Sequence, residues 1–579
     1  MINGICAVVL LCVSAFLPVD RAAEQKRAER RIFEDKRFGI VVEPAGMERP
    51  LDVAAATTLV QRCRSVGALY LTVRGGSALD EDVRAALESS CRKGGVTFQV
   101  RDEAAYGRRP GEPGFRTSRD VIAALVRTAA RGLNLPVEIR PEASGEFPSD
   151  AAEILRGVGD WMKVNGESIC CTTAGLYGDG RDVVSTRIES VDFLHFTDPG
   201  KTEFEFETGR RYVEARCLDA RGSARLEKTA KGYRVTVTRP EGDDRVAVIK
   251  LLPALDVPFA SRSFCVTTPR PGDEVGRFCA FIRDRLAKDG FDTLFLRVDY
   301  RYRYASHPEC IGTNALSAAE FRRIADACRA GGIRLVPHVN TFGHQTGRGY
   351  VSQFLVAYPD ADEAPGKPVF EDYYRSFCPR HPVAMPVMLD LAEELMKAAG
   401  TDEFHIGCDE IFEIGTCARC RGTPTAKLLS EWVNGMNRGL KARGMRRLYI
   451  WADRLIPYVA ERYNDSVYGE SANGTADALG EIDRDVVLCD WHYGWRFDYP
   501  SVDAFRRAGY RTIISTWTDV AAAEKFAGYA ARQGGDSVIG MMFTAWSGCA
   551  DTMDAIEGRR TKSEVANQVA EVYRAYFVR

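Results

Sequence analysis

From Ser261 to the C-terminus, eight short apolar runs alternate with amphipathic stretches of about 10–15 residues. The runs are SFCVTT, TLFLRVD, RLVPHVN, EFHIGCDE, RLYIWAD, VVLCDWHYG, TIISTW and GMMFTAWS. Parallel strands need a crossover of a dozen or more residues, and a helix supplies it. Eight strand–helix repeats within about 320 residues therefore predict a closed (β/α)8 barrel, an α/β fold, over 261–579.

The preceding chain has two textures. FGIVVEP, ALYLTVRG, VTFQVRD and LPVEIRP alternate with helical stretches such as DVIAALVRTAARGL, which predicts a shortened parallel α/β unit over 33–180. From Val183, strands with turn signals every 8–12 residues predict a small antiparallel β-sandwich over 181–258. At the N-terminus, an apolar run from Ile5 to Leu17 is too short to span a bilayer and has the length of a signal-peptide core. A signal peptide over 1–23 and a secreted or periplasmic protein are expected, with an N-terminal membrane tether as the alternative. No later run is long enough for an integral membrane span.

Several chemistries are disfavoured. A formal charge of −2 gives no electrostatic footprint for nucleic acid. The Gly-rich VRGGSALDED lacks both GxGxxG and a P-loop lysine, which argues against nucleotide chemistry. The 17 cysteines include Cys6 and Cys12 of the leader, so an odd number remains and complete internal pairing is impossible. Cys265, Cys279 and Cys328 sit in apolar contexts that suit buried thiols. Cys417 and Cys420 form a lone CxxC. A local disulfide, a metal site and unpaired loop cysteines all remain open for it, although a metal needs about four ligands and no second CxxC or HxxxH lies near by.

A barrel places its active site at the C-terminal ends of its strands. Those ends carry Asp299; His338, Asn340 and His344; His405, Asp409 and Glu410; Trp451 and Asp453; Asp490, Trp491 and His492; Trp517; and Trp546. A single strand-end Asp is more often a helix cap, and a lone Trp or His more often core packing. Repetition at successive strand ends favours a site. Carboxylates supply proton transfer and charge stabilisation, and aromatic rings offer apolar faces to sugar C–H patches. A glycan or glycoconjugate is the expected ligand.

The segment Phe404-His405-Ile406-Gly407-Cys408-Asp409-Glu410 resembles the HxGGDE signature of the β-N-acetylhexosaminidases, glycoside hydrolase family 20, with Cys408 at the second glycine. RRIADACRAGGIRLVPHVNTFGH is similar to that family's helix and third strand, with His344 at the Gly-His position. TLFLRVD places Asp299 at a sugar-binding acid, RLYIWAD supplies Trp451 and Asp453, and GMMFTAWS supplies Trp546. The resemblance covers about 261–579. It implies a retaining, substrate-assisted glycosidase for terminal β-linked N-acetylhexosamine or a related 2-acetamido sugar, with Asp409 and Glu410 catalytic. Asp299, His344, His405, Trp451, Asp453, Trp491 and Trp546 would then bind substrate. Glu410, raised in pKa by a closed apolar pocket, would protonate the leaving oxygen while Asp409 holds the substrate's acetamide. No metal and no organic cofactor is needed.

The sequence departs from the family in three places. The first strand lacks Asp-x-x-Arg, His338 and Asn340 replace two acids, and no tyrosine is evident near the seventh strand, where Trp517 stands. The alternative is a carbohydrate-binding or scaffold protein with a degenerate barrel.

The stretch from Leu135, through Asp160-Trp161-Met162-Lys163-Val164-Asn165-Gly166-Glu167, resembles the end of the barrel in α-L-fucosidases, glycoside hydrolase family 29. The strands that follow resemble that family's C-terminal β-sandwich, and the likeness covers about 112–256. Only about 75 residues, 38 to 112, lie between the charged leader and this segment, and no Trp-Phe-Asp-type segment is present, so a truncated, non-catalytic unit is expected. Fucosidase activity is the lesser alternative. Oligomeric state is not legible.

Overall fold

The computed structural model describes residues 38–42, 51–74, 79–94, 96–101, 115–239, 241–347, 350–364, 375–458 and 470–578. The expected leader lies outside them. Tertiary contacts divide the chain after Pro253 into two units. No helix among the described residues is long and apolar enough to cross a membrane.

The first unit begins with four parallel strands, Phe38–Val42, Tyr70–Arg74, Thr97–Arg101 and Leu135–Ile139, ordered third, second, first, fourth. All five residues of Phe38–Val42 are buried, as a parallel strand covered on both faces requires. Local chemistry sets the helix starts. Asp52 accepts the Ala55 amide at 2.8 Å to cap Val53–Ser65, and Thr117 with Asp120 forms a capping box on Ser118–Ala129.

Two antiparallel sheets follow, one of five strands and one of three. Their inward residues, among them Leu194, Phe196, Val235, Ile249 and Leu251, form one apolar core. The segment resembling the fucosidases is anchored at two points: the buried Trp161 indole donates to Val246 O at 2.9 Å, and Glu167 pairs with Lys250 at 2.7 Å.

The second unit is a closed eight-stranded parallel barrel. Its strands are β1 (Ser261–Thr267), β2 (Thr293–Arg297), β3 (Arg334–His338), β4 (Glu403–His405), β5 (Arg447–Trp451), β6 (Val487–Trp491), β7 (Thr512–Thr516) and β8 (Val538–Ala545). Pairing of Phe264 with Phe543 is part of the β1–β8 seam that closes the ring. Cys265, Phe295, Val336, Tyr449, Trp451, Val487, Cys489, Ile513 and Met542 fill the interior, so the barrel is a packed core. The period of two along β2 places Arg297 on the face of Phe295, and Asp299 follows two residues later.

Between His344 and Ala384 the sequence pattern predicts no element. The structure has a ribbon pairing Thr346–Gly347 with Tyr350–Val351, a short helix Gln353–Ala357 and a 3-10 turn Pro359–Ala361. This long loop after β3 and the loop after β4 shape the rim.

Candidate active site

Strand β4 ends after three residues, and the chain beyond it is held in unusual conformations. Gly407, Cys408 and Glu410 have φ of 69°, 71° and 49°. Asp299 and His344 are left-handed too, at 48° and 56°. Non-glycine residues seldom occupy this region, and such strain persists only where surrounding contacts over-determine it. Those contacts are present. A Cβ on Gly407 would lie 2.2 Å from Asn340 Oδ1, and one on Gly343 would lie 2.3 Å from Asp409 O, so both positions need glycine. Asn340 Oδ1 also accepts the Cys408 amide at 3.2 Å.

This backbone brings two carboxylates to one imidazole. His344 Nε2 lies 2.9 Å from Asp409 Oδ2 and 3.2 Å from Glu410 Oε2. Asn340 Nδ2 donates to Asp409 Oδ1 at 2.9 Å, so both Asp409 oxygens are engaged. Burial opposes a charge on His344, but Asp409 and Glu410 outweigh it and push the imidazole up to about 10. Burial likewise opposes the Asp409 charge, yet His344 and Arg297 hold that carboxyl well below the usual range. His344 and Asp409 thus each favour the charged form of the other. Glu410 is not in the closed apolar pocket expected from the sequence: its side chain is 16% exposed and faces His344.

Two further acids brace this centre. Asp453 Oδ2 accepts the Glu410 amide at 2.9 Å and Arg454 Nε at 2.7 Å, while its Oδ1 accepts the Trp491 indole at 3.3 Å. Burial pushes Asp453 up to about 6, against the pull of Arg454 and helped by the Asp409 charge. Asp299 accepts the Asn340 amide at 2.9 Å and Arg297 Nε at 2.7 Å. Arg297 was not anticipated as a site residue. An arginine closing an otherwise apolar strand, in register with Asp299, was the available signal. Its guanidinium lies over the Trp546 ring at 5.8 Å.

A tyrosine two residues past β6 joins the tryptophans of the rim. Tyr493 stacks on Trp491 at 4.8 Å, lies 5.2 Å from Trp517, and accepts the Trp546 indole at 3.0 Å. Burial raises its hydroxyl pKa, and the Asp409 charge adds to the rise. Trp451 packs on Trp546 at 5.7 Å and on His405 at 4.7 Å. His405 is fully buried in the barrel interior, where Nδ1 accepts the Gly407 amide at 3.0 Å. His338 lies beside it, pushed down to about 3 by burial and then by Arg297. Asp490 and His492 turn away: both contact Ser501, and His492 packs on Phe526 in the helix layer.

Thus Asp299, His344, Asp409, Glu410, Asp453, Trp491 and Trp546 join one network, while Trp451 and His405 form its floor. A cavity of about 530 Å³ opens beside it, lined by Arg297, Asp299, His344, Thr346, Tyr350 and Gln353 among others.

A (β/α)8 barrel with acids, a histidine and tryptophans gathered at its C-terminal rim defines the class as glycoside hydrolase-like. Residues 297–560 match the family model described as "Glycosyl hydrolase family 20, catalytic domain", and residues 96–167 match the one described as "Alpha-L-fucosidase". Over these spans the chain resembles a family 20 catalytic domain and part of an α-L-fucosidase, and it is a glycosidase by this likeness. Rat (Rattus norvegicus) plasma alpha-L-fucosidase is 40% identical over 70 residues, which are 12% of this chain and 15% of that protein's length. Among solved structures, the β-N-acetylhexosaminidase of Bacteroides fragilis is 17% identical with a TM-score of 0.40, covering 61% of this chain and 76% of that one. The Flavobacterium johnsoniae chitobiase is 16% identical with a TM-score of 0.39, covering 61% of this chain and 54% of that one.

Proposed function

We propose that the barrel hydrolyses terminal β-linked 2-acetamido sugars from a glycan or glycoconjugate, with retention, using the substrate's own acetamide as nucleophile. The observation that carries this reading is Asp409, ionised and fixed by His344 and Asn340 one residue from Glu410. An anion held this way accepts the acetamide N–H and stabilises positive charge as the acetamide carbonyl oxygen attacks the anomeric carbon. Glu410, a carboxylate while it shares in holding the His344 proton, takes up a proton before the chemical step and gives it to the leaving oxygen as the glycosidic bond breaks. Water then opens the oxazoline-type intermediate, with Glu410 taking the proton back.

The other residues follow by position. Asp299 and Arg297 face the cavity with groups suited to sugar hydroxyls, and Trp491 and Trp546 supply aromatic walls above the buried Trp451. Tyr493, beside those rings, is a further candidate for the acetamide pocket. His405 supports the floor. The N-terminal unit, with four parallel strands among its described residues, is proposed as an accessory module.

The test is turnover of aryl 2-acetamido-2-deoxy-β-glycosides of gluco and galacto configuration by the purified chain. Proton NMR of the first product should show the β-anomer. Binding of these sugars without turnover would replace the proposal with a carbohydrate-binding role.

A further inference from the structure

The CxxC singled out in the sequence is completed by residues far from it in the chain. Cys417 and Cys420 lie in the loop after β4, Cys378 lies just before the helix Ala384–Ala399, and Glu363 lies in the long loop after β3. The ligand-capable atoms of these four residues all fall within 4.8 Å of one another. Cys378 Sγ is 3.4 Å from Cys417 Sγ and 3.5 Å from Cys420 Sγ. All four residues are buried, between 0% and 7% exposed.

Backbone pairing builds the arrangement. Asp362 bridges Phe377, the Glu363 amide donates to Ser376 O at 3.2 Å, and the Cys378 amide donates to Ala361 O at 2.6 Å, which sets Glu363 beside Cys378. The amides of Cys420 and Arg421 both donate to Cys417 O, folding the CxxC into a turn. Glu363 Oε1 accepts the Thr416 amide at 2.9 Å, while Oε2 is buried with no hydrogen-bond partner among the described residues. A buried carboxylate oxygen without a partner, facing three thiols, is costly unless a cation completes it.

We propose that Glu363, Cys378, Cys417 and Cys420 form a closed, structural zinc-type site. Three thiolates and one carboxylate are a tetrahedral donor set, and zinc–sulfur bonds of about 2.3 Å would set the sulfurs roughly 3.8 Å apart, close to the distances found. A disulfide would instead require a sulfur–sulfur distance of about 2.05 Å. With all four positions filled by protein there is no open coordination site, so the ion would act on structure. It would tie the loop carrying His344 to the loop carrying Asp409 and Glu410.

The test uses the full chain, purified under reducing conditions, loaded with Zn²⁺ and desalted. About one zinc per chain should remain by elemental analysis, and almost none in the Cys417→Ser/Cys420→Ser variant. Co²⁺ in place of zinc should give thiolate-to-metal charge-transfer absorption. Glu363→Gln should keep that absorption but weaken metal affinity by about 10²-fold. If the cysteine variant does not fold, the wild-type protein alone decides: Cys378, Cys417 and Cys420 should resist alkylation until a chelator is added. Alkylation of all three in the folded, zinc-treated protein would overturn the proposal. So would a disulfide between any two of them in a non-reduced peptide map.

Discussion

The backbone amide of Glu410 donates to the carboxylate of Asp453 at 2.9 Å, which fixes the left-handed turn that presents the Glu410 side chain. Asp453 also forms a buried ion pair with Arg454 at 2.7 Å. Asp453→Ala should therefore lower kcat by about 10²-fold through misplacement of the acid. It should also cost about 3 kcal/mol of stability by removing the carboxylate partner of buried Arg454, whose Nη2 still donates to Glu470 O. Kinetics and urea unfolding of the same preparation check both. Unchanged kcat in the folded variant would show that Glu410 does not depend on this anchor.

Glu410→Gln preserves shape and removes the transferable proton. It should reduce kcat by about 10²-fold or more on substrates with poor leaving groups. With a nitrophenolate leaving group, which needs less protonation, the loss should be smaller. The comparison of leaving groups is the informative measurement, since equal losses would deny Glu410 the acid role.

His344 gives a pH signature. Its pKa rises from 6.5 to about 10 on folding, so the folded state binds the extra proton between those values. Stability from the His344–Asp409 interaction is then fully present below about pH 6.5 and is lost as pH climbs toward 10. The unfolding free-energy difference between wild type and His344→Gln should be on the order of 3–5 kcal/mol near pH 6. It should shrink steadily above pH 7. A difference that grows with pH would contradict the assigned charge.

Cys408 occupies φ 71° at a position where glycine would carry no steric penalty. Cys408→Gly should change stability by less than about 1 kcal/mol, because relief of strain offsets lost burial. Cys408→Val, β-branched in the same conformation, should cost about 1–3 kcal/mol and reduce activity by disturbing the neighbouring Asp409. Thermal melts of the three proteins test this ordering.

Much of this was legible in the residues. The eight strand–helix repeats predict the barrel because both periodicities are strong, and the dyad was readable because His405-Ile406-Gly407-Cys408-Asp409-Glu410, just past β4, resembles the family 20 signature. Two kinds of feature were not. Arg297 and Tyr493 reach the site from β2 and the end of β6, and only the closed ring shows that they meet Trp546. Glu363 and Cys378 are 54 and 39 residues from Cys417, and that separation hides the four-residue cluster from any local spacing rule. Asp490 and His492 erred the other way. They share the strand end with Trp491, but they face Ser501 and the helix layer.

The central claim is that Asp409 works on the substrate's acetamide. Its most direct test is kcat/KM of wild type and Asp409→Asn on matched aryl β-glycosides bearing a 2-acetamido or a 2-hydroxyl group. Wild type should prefer the acetamido substrate by about 10³-fold or more, the scale of a well-placed intramolecular nucleophile, and Asp409→Asn should erase most of that preference. Comparable turnover of both substrates by wild type would contradict the account.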